Sequence, residues 1–246
     1  MTSTFFMFIN HMKYAYFILS IVVFLACSNQ HSNSTTNDFH ISGEMKNVMW
    51  KGMLEGIIQL DTIPLNDLYG IGPIEYLSGE ILVVDGVVYT SRISQDSSLM
   101  VEVNPKIKAP FFVHAHQKGW SKTTLPDHVI DLQSLENFID SISTETSNPL
   151  VFKLSGVFNT ASIHVQNLPP NTEVHSPKEA HQGQVNLSLG KDSATIVGFF
   201  SRKHQGVFTH HDSYIHTHYI NGEKTKMGHL DKVSFNPKDV FLYMPN

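Results

Sequence analysis

The chain reads as an α+β protein: strand-rich, with mostly antiparallel or mixed sheets in two closely packed halves and few helices. Three observations predict this class. Short β-branched runs recur along the chain and are bounded by Gly, Pro, Asn and Asp. Two dipeptides, Asp85-Gly86 and Asn221-Gly222, stand between such runs as tight-turn signals. Helical spacing is clear in one place, where Leu132, Leu135, Phe138, Ile139 and Ile142 recur within residues 131–143.

Residues 49–68 read as helical or mixed. The stretch 69–80 then leads into a hairpin, with strands at 81–84 and 87–89 and Asp85-Gly86 as its two-residue turn. Gly70-x-Gly72 lacks a third glycine and runs into Pro73, so it is not a nucleotide-binding loop. Residues 110–113 form another strand, and the amphipathic helix at 131–143 packs on a sheet. A second half begins near Pro149. Strands are expected at 150–154 and 158–165 around Gly156, then at 185–189 and 194–200, with Pro169-Pro170-Asn171 as a break. A polar loop at 202–212 leads to the last hairpin. No internal repeat is visible.

At 246 residues and 41% apolar content, the chain can form one large domain or two small ones. The formal charge of −5, with 17 basic and 22 acidic residues and no basic run, argues against nucleic acid as a partner. Lys13 precedes an apolar run at 14–26, the length of an export-signal core and short of the ~20 residues that span a bilayer. The run ends in Phe24-Leu25-Ala26-Cys27-Ser28, which resembles a lipobox. The expected organisation is therefore a lipoprotein-type signal peptide at 1–26, with Met12 as a better start than Met1, and a flexible tether at 27–40. A domain at 41–246 follows, with halves at about 41–148 and 149–246. Membrane contact is expected only through a lipid on Cys27, which would anchor the exported protein to the periplasmic or surface face of a bacterial cell envelope. Cys27 is the single cysteine, so no disulfide framework exists.

The segment 215–229 carries the chemistry. His216 and His218 are two apart on a strand and share a face. With Asn221-Gly222 as a type I′ turn, Ile220 pairs with Glu223, His218 with Thr225 and His216 with Met227, which puts His229 on the same face. His229 is then a diagonal neighbour of His216, roughly 7–8 Å away, and closure requires twist or a bulge at Gly228. Three neutral imidazoles would leave a tetrahedral zinc with an open position. Fifteen histidines make chance His-x-His pairs common, and His114-Ala115-His116 is another, so a solvated histidine face remains the alternative. His210 and His211 are further candidate ligands.

Gly70-x-Gly72 through Leu77-x-Gly79-Glu80 with Asp85-Gly86, then Gly156-x-Phe158, Val197-Gly198-Phe199, and His216-x-His218 with Gly228-His229 and Asp231, resemble the α-acetolactate decarboxylase family in the same order. The likeness covers roughly residues 55–232. It implies that His216, His218 and His229 bind Zn2+ and that Glu80 lies beside the metal as an acid/base group. The implied reaction converts acetolactate to acetoin and carbon dioxide. The implied partner is a small-molecule hydroxy-keto acid, and a homodimer is one assembly the reading allows.

Three departures accompany the likeness. His164 stands where the family has an arginine expected to hold the substrate carboxylate, and an arginine is a permanent bidentate cation whereas histidine is not. Pro73 stands where a hydroxyl residue is usual. The family's C-terminal tail brings a second glutamate to the metal, whereas the acids after His229 here are Asp231 and Asp239. Two other readings follow: the same scaffold acting on another β-keto or 2-hydroxy acid, or a non-catalytic metal-binding lipoprotein.

Overall fold

The computed structural model describes residues 38–143 and 149–246. The expected export signal, Cys27 with its lipobox-like segment and all but the last residues of the expected tether lie outside the described residues. No helix among those described is long and apolar enough to cross a membrane.

The element order begins with β1 (Asp38–Ser42), α1 (Met45–Lys51), β2 (Ile58–Gln59), β3 (Leu68–Pro73), β4 (Glu80–Val84), β5 (Val87–Ile93), β6 (Leu99–Val103), β7 (Lys108–Ala109) and β8 (Phe112–His116). It continues with β9 (Trp120–Thr124), α2 (Leu132–Ile142), β10 (Leu150–Val165), α3 (Pro177–Ala180), β11 (Val185–Leu189), β12 (Asp192–Phe200), β13 (Ile215–Asn221) and β14 (Met227–Pro245). All strand pairings between these elements are antiparallel, as the turn-rich, β-branched sequence predicts.

The first sheet has the order β1-β8-β3-β4-β5-β6. Asp85 and Gly86 both have positive φ, 49° and 78°, so the β4–β5 turn is the type I′ turn its sequence predicts. The second sheet has the order β11-β10-β12-β13-β14-β9, and a further pairing of β10 with β14 closes β10, β12, β13 and β14 into a ring. The two strands expected around Gly156 are thus one long strand, β10, which borders β12 and β11 along one side and β14 along the other.

Alternation along the strands divides the side chains between two cores. Phe152, Leu154, Ile196, Phe200, Ile215 and Tyr219 face one way and pack with Leu135 and Ile139 of α2. Helix α2 is capped by Asp131, whose carboxylate accepts from Ser134 N–H. Val151, Val197, Phe199, Ile220 and Met227 face the other way and meet Tyr69, Ile71, Leu82, Val113 and Ala115 of the first sheet. The second set is the seat of the site. His216 and His218 share its parity on β13, and Glu80 shares it on β4.

The hairpin at 215–229 differs from the sequence reading. Asn221 and Gly222 do not form a two-residue turn. Asn221 Oδ1 accepts from Thr225 N–H and Lys226 N–H, both 2.9 Å, and Lys224 takes the left-handed conformation at φ 60°. Strand β14 therefore begins at Met227. The pairs become Ile220–Met227, Tyr219–Gly228 and His218–His229, instead of His218–Thr225 and His216–Met227. The asparagine side chain satisfies the loop's amides, which stabilises a longer connection than the dipeptide alone suggests.

Candidate metal centre

The longer loop removes the distance problem of the predicted register. Directly opposed residues on antiparallel strands have Cβ atoms about 4.5–5.5 Å apart. His229 is opposed to His218 on one side and, through the β10–β14 pairing, to His164 on the other. Four imidazoles thus stand on one face of three adjacent strands. The ring centroids of His216, His218 and His229 lie 5.0–5.5 Å from one another, and His164 stacks on His229 at 4.4 Å.

Two local features allow this close approach. A Cβ on Gly228 would stand 2.5 Å from the His164 carbonyl oxygen, so only glycine lets β14 run so near β10 at that point. Between Ser162 and Ile163 the β10–β14 register shifts, leaving Asp231 as the extra residue of a bulge. The bulge aims Asp231 back at the histidines. Its Oδ1 lies 2.8 Å from His164 Nδ1 and 3.3 Å from His229 Nδ1.

Glu80 comes from the opposite sheet. Gly79 before it has φ 153°, and a Cβ there would meet the Ser91 carbonyl at 2.2 Å. The Glu80 carboxylate is 3% exposed. Its Oε1 accepts from Gln166 N–H at 3.1 Å, which leaves Oε2 pointing at His218, 3.8 Å from Nε2. A cavity of about 30 Å³ lies between Glu80, Pro73, Phe111, His164, His181 and the histidines 210, 216, 218 and 229. That is room for a metal ion or one or two waters. A cleft of about 830 Å³ opens beside His210, His216 and His229 and is lined largely by polar side chains of β10, β14 and the start of α2.

Burial sets the protonation states. It pushes His216 and His218 well below the ordinary imidazole value, with neighbouring histidines adding to the effect, and it lowers His229 to about 3. Each ring is therefore neutral and able to offer a lone pair. Burial pushes Glu80 well above the ordinary carboxylate range; the Gln166 amide opposes this and the Asp231 charge reinforces it. Burial also acts to raise Asp231, but hydrogen bonds from His164 and His229 outweigh it and hold that carboxylate well below its usual range.

The donor set fits a metal ion. The backbones of Ile81 and Phe208 engage the His218 and His216 rings, respectively, and each neutral ring then has one further nitrogen. His218 Nε2, facing Glu80, is buried without a hydrogen-bond partner, which is costly unless something else uses its lone pair. Among the described residues, one group has donor atoms all within 4.8 Å of one another: His164, His229 and Asp231. It shares His229 with the set read from sequence.

Glu80, His164, His216, His218 and His229 are thus brought together. His114 and His116 are not, because their parity on β8 turns them away, and His116 Nε2 lies 2.8 Å from the Pro64 carbonyl. His211 is exposed. The sequence reading assigned no role to Gln166, His181 or the bulged Asp231. Only Asp231 carried a signal, being two residues beyond His229 on the same strand face.

A family model described as Alpha-acetolactate decarboxylase matches residues 42–243. The Alpha-acetolactate decarboxylase of Brevibacillus brevis is 25% identical over 191 residues, covering 77% of this chain and 64% of that protein. The chain thus spans a little under two thirds of that relative. The Streptococcus thermophilus Alpha-acetolactate decarboxylase is 24% identical over 184 residues, 73% of each chain. Among solved structures, acetolactate decarboxylase from Bacillus subtilis subspecies spizizenii aligns with a TM-score of 0.69 at 21% identity, over 84% of this chain and 85% of that one. A Staphylococcus aureus protein of unknown function similar to alpha-acetolactate decarboxylase aligns at 0.71 and 17% identity, over 85% of this chain and 84% of that one. At these identities the solved structures bear on the fold, and the strand-rich antiparallel architecture is theirs.

Proposed function

Because this chain belongs to the alpha-acetolactate decarboxylase family, we propose that it converts acetolactate, a 2-hydroxy-3-oxo acid, to acetoin and carbon dioxide at a zinc ion held by His216, His218 and His229. The observation that carries the reading is the convergence of three buried, neutral imidazoles on a cavity that Glu80 also lines. The His164, His229 and Asp231 group supports it in another capacity. There both Nδ1 atoms face the Asp231 carboxylate as hydrogen-bond donors, the arrangement by which an outer carboxylate orients a ligand histidine.

A zinc ion held by His216, His218 and His229 would supply a Lewis acid for the negative charge that develops as carbon dioxide is lost. The remaining work falls to the chain. Glu80, fixed through Oε1 and raised in pKa, holds a proton at Oε2 for the carbon that loses carbon dioxide. Delivery from one side gives a single enantiomer of product. His164 has Nδ1–H committed to Asp231, so its Nε2 can donate to the substrate carboxylate only when the ring is doubly protonated. Phe111, Met45 and Met49 exclude water from the apolar side of the cavity.

Carbon dioxide release from racemic acetolactate by the purified protein, with its metal content measured in parallel, tests this reading. Metal without turnover would sink it. A second reading, another 2-hydroxy-3-oxo acid on the same residues, is favoured by the 830 Å³ cleft beside the histidines, far larger than a five-carbon acid needs. Faster turnover of longer-chain homologues would select it. The lipobox-like segment ending at Cys27 extends the proposal to an exported, lipid-anchored enzyme, which metabolic labelling with a fatty acid checks.

A further inference from the structure

We propose that His210 is a fourth imidazole ligand, one that closes the metal's coordination shell until a chelating substrate displaces it. The inference rests on the metal reading given above for His216, His218 and His229. His210 belongs to the connection between β12 and β13, not to the hairpin. Its Nε2 stands 3.0 Å from His229 Nε2. Neighbouring donors on a tetrahedral zinc lie about 3.3 Å apart when each metal–nitrogen bond is about 2.0–2.1 Å. The His210 ring also faces His216, with centroids 5.9 Å apart, and it borders the same 30 Å³ cavity as the other three histidines.

The backbone holds this ring in place from one side. The Val207 and Gly206 carbonyls accept from Met45 and Lys46 N–H at 2.7 and 2.9 Å, and Phe208 and Thr209 are fully buried. On the other side His211 and Asp212 are exposed, and the large cleft lies against His210 and Asp212, which gives the ring room to withdraw. A hydrogen bond between His210 and His229 would account for the 3.0 Å spacing alone. It would leave the buried Nε2 of His218 on the same cavity idle, whereas a cation among the rings engages it.

The arrangement confers selectivity. A monodentate acid must displace His210 with one oxygen and gains little, whereas a 2-hydroxy-3-oxo acid offers two oxygens and gains a chelate. His210 would thus keep the metal from simple carboxylates.

Cobalt substitution tests the proposal without reference to turnover. The wild-type cobalt protein is expected to show intense four-coordinate visible bands that do not change with pH, and X-ray absorption is expected to count four imidazoles. In His210→Ala a water takes the vacated place, so the bands become pH-dependent around neutrality. Metal affinity against a competing chelator should fall by at least about 10-fold, the lower range seen for groups that merely orient a ligand. Three imidazoles in the wild type, or an unchanged spectrum and affinity in a folded His210→Ala, overturns the proposal and leaves the three-histidine site standing. Failure of the wild type to take up cobalt overturns both. The imidazole count needs no variant and decides the matter should His210→Ala not fold.

Discussion

Glu80 and Asp231 are both carboxylates at one histidine cluster, Glu80 beside His218 and Asp231 beside His164 and His229, and their surroundings separate their tasks. Glu80 is buried, with one hydrogen bond from a backbone amide, so it retains a proton. Asp231 is half-exposed and accepts from two imidazoles, so it remains ionised. Glu80→Gln keeps the size and the Gln166 contact while removing the transferable proton. It is expected to retain metal and lose roughly 10²–10⁴-fold in turnover; full activity would remove Glu80 from the chemistry. Asp231→Asn is expected to weaken metal binding about 10–100-fold in a chelator competition, the effect of releasing an oriented ligand. Unchanged affinity would reduce Asp231 to a surface acid. His164→Arg places a permanent cation at the carboxylate position and is expected to lower KM near neutral pH. No change in KM would show that position 164 does not meet the substrate.

The hairpin that carries three of the histidines shows how far local sequence determines an element. Asp85-Gly86 forms the turn its dipeptide predicts, with the Asp85 carboxylate taken by the Tyr69 hydroxyl rather than by the amides of its own loop. Asn221-Gly222 does not, because Asn221 turns its side chain inward to the amides of Thr225 and Lys226 and lengthens the loop. Replacing residues 221–226 by a two-residue Asn-Gly link keeps Ile220 opposite Met227 and hence His218 opposite His229. It is therefore expected to preserve both strand content by circular dichroism and metal binding in a chelator competition; loss of metal binding would show that the Asn221 loop does more than set the register. Gly228→Ala is expected to cost about 1–3 kcal/mol in denaturant unfolding by forcing β14 away from the His164 carbonyl. The His-x-His spacing, the Gly79-Glu80 entry and the amphipathic helix were legible because each depends on neighbours within a turn or a strand. Asp231's role was not, since its bulge exists only where β10 and β14 meet, more than sixty residues apart. Gln166 and His181 were hidden for the same reason.

For the molecule as a whole, the buried histidines make the metal-free protein sensitive to acid. His216, His218 and His229 have folded pKa values below the unfolded value of about 6.5, so the unfolded chain binds protons first as pH falls. Stability is therefore expected to drop below about pH 6.5, and calorimetry of chelator-treated protein at pH 7 and pH 5 checks it. A flat profile would mean the rings are not buried neutral. Glu80 acts in the opposite sense, with stability lost as pH rises above about 4.5 through its raised folded value. Three groups against one leave the histidine effect dominant.

The ring of β10, β12, β13 and β14 closes at the histidines themselves. β13 meets β14 only through Ile220, Tyr219 and His218, and β14 turns at once to β10 through His229 and His164. The metal residues form a clasp across a seam that joins segments distant in sequence, and such pairings are slow to form. An ion cannot recruit these ligands early in folding. It fastens a barrel already shut, so metal uptake should trail the recovery of strand structure during refolding, and holding back the metal should slow no step before the last.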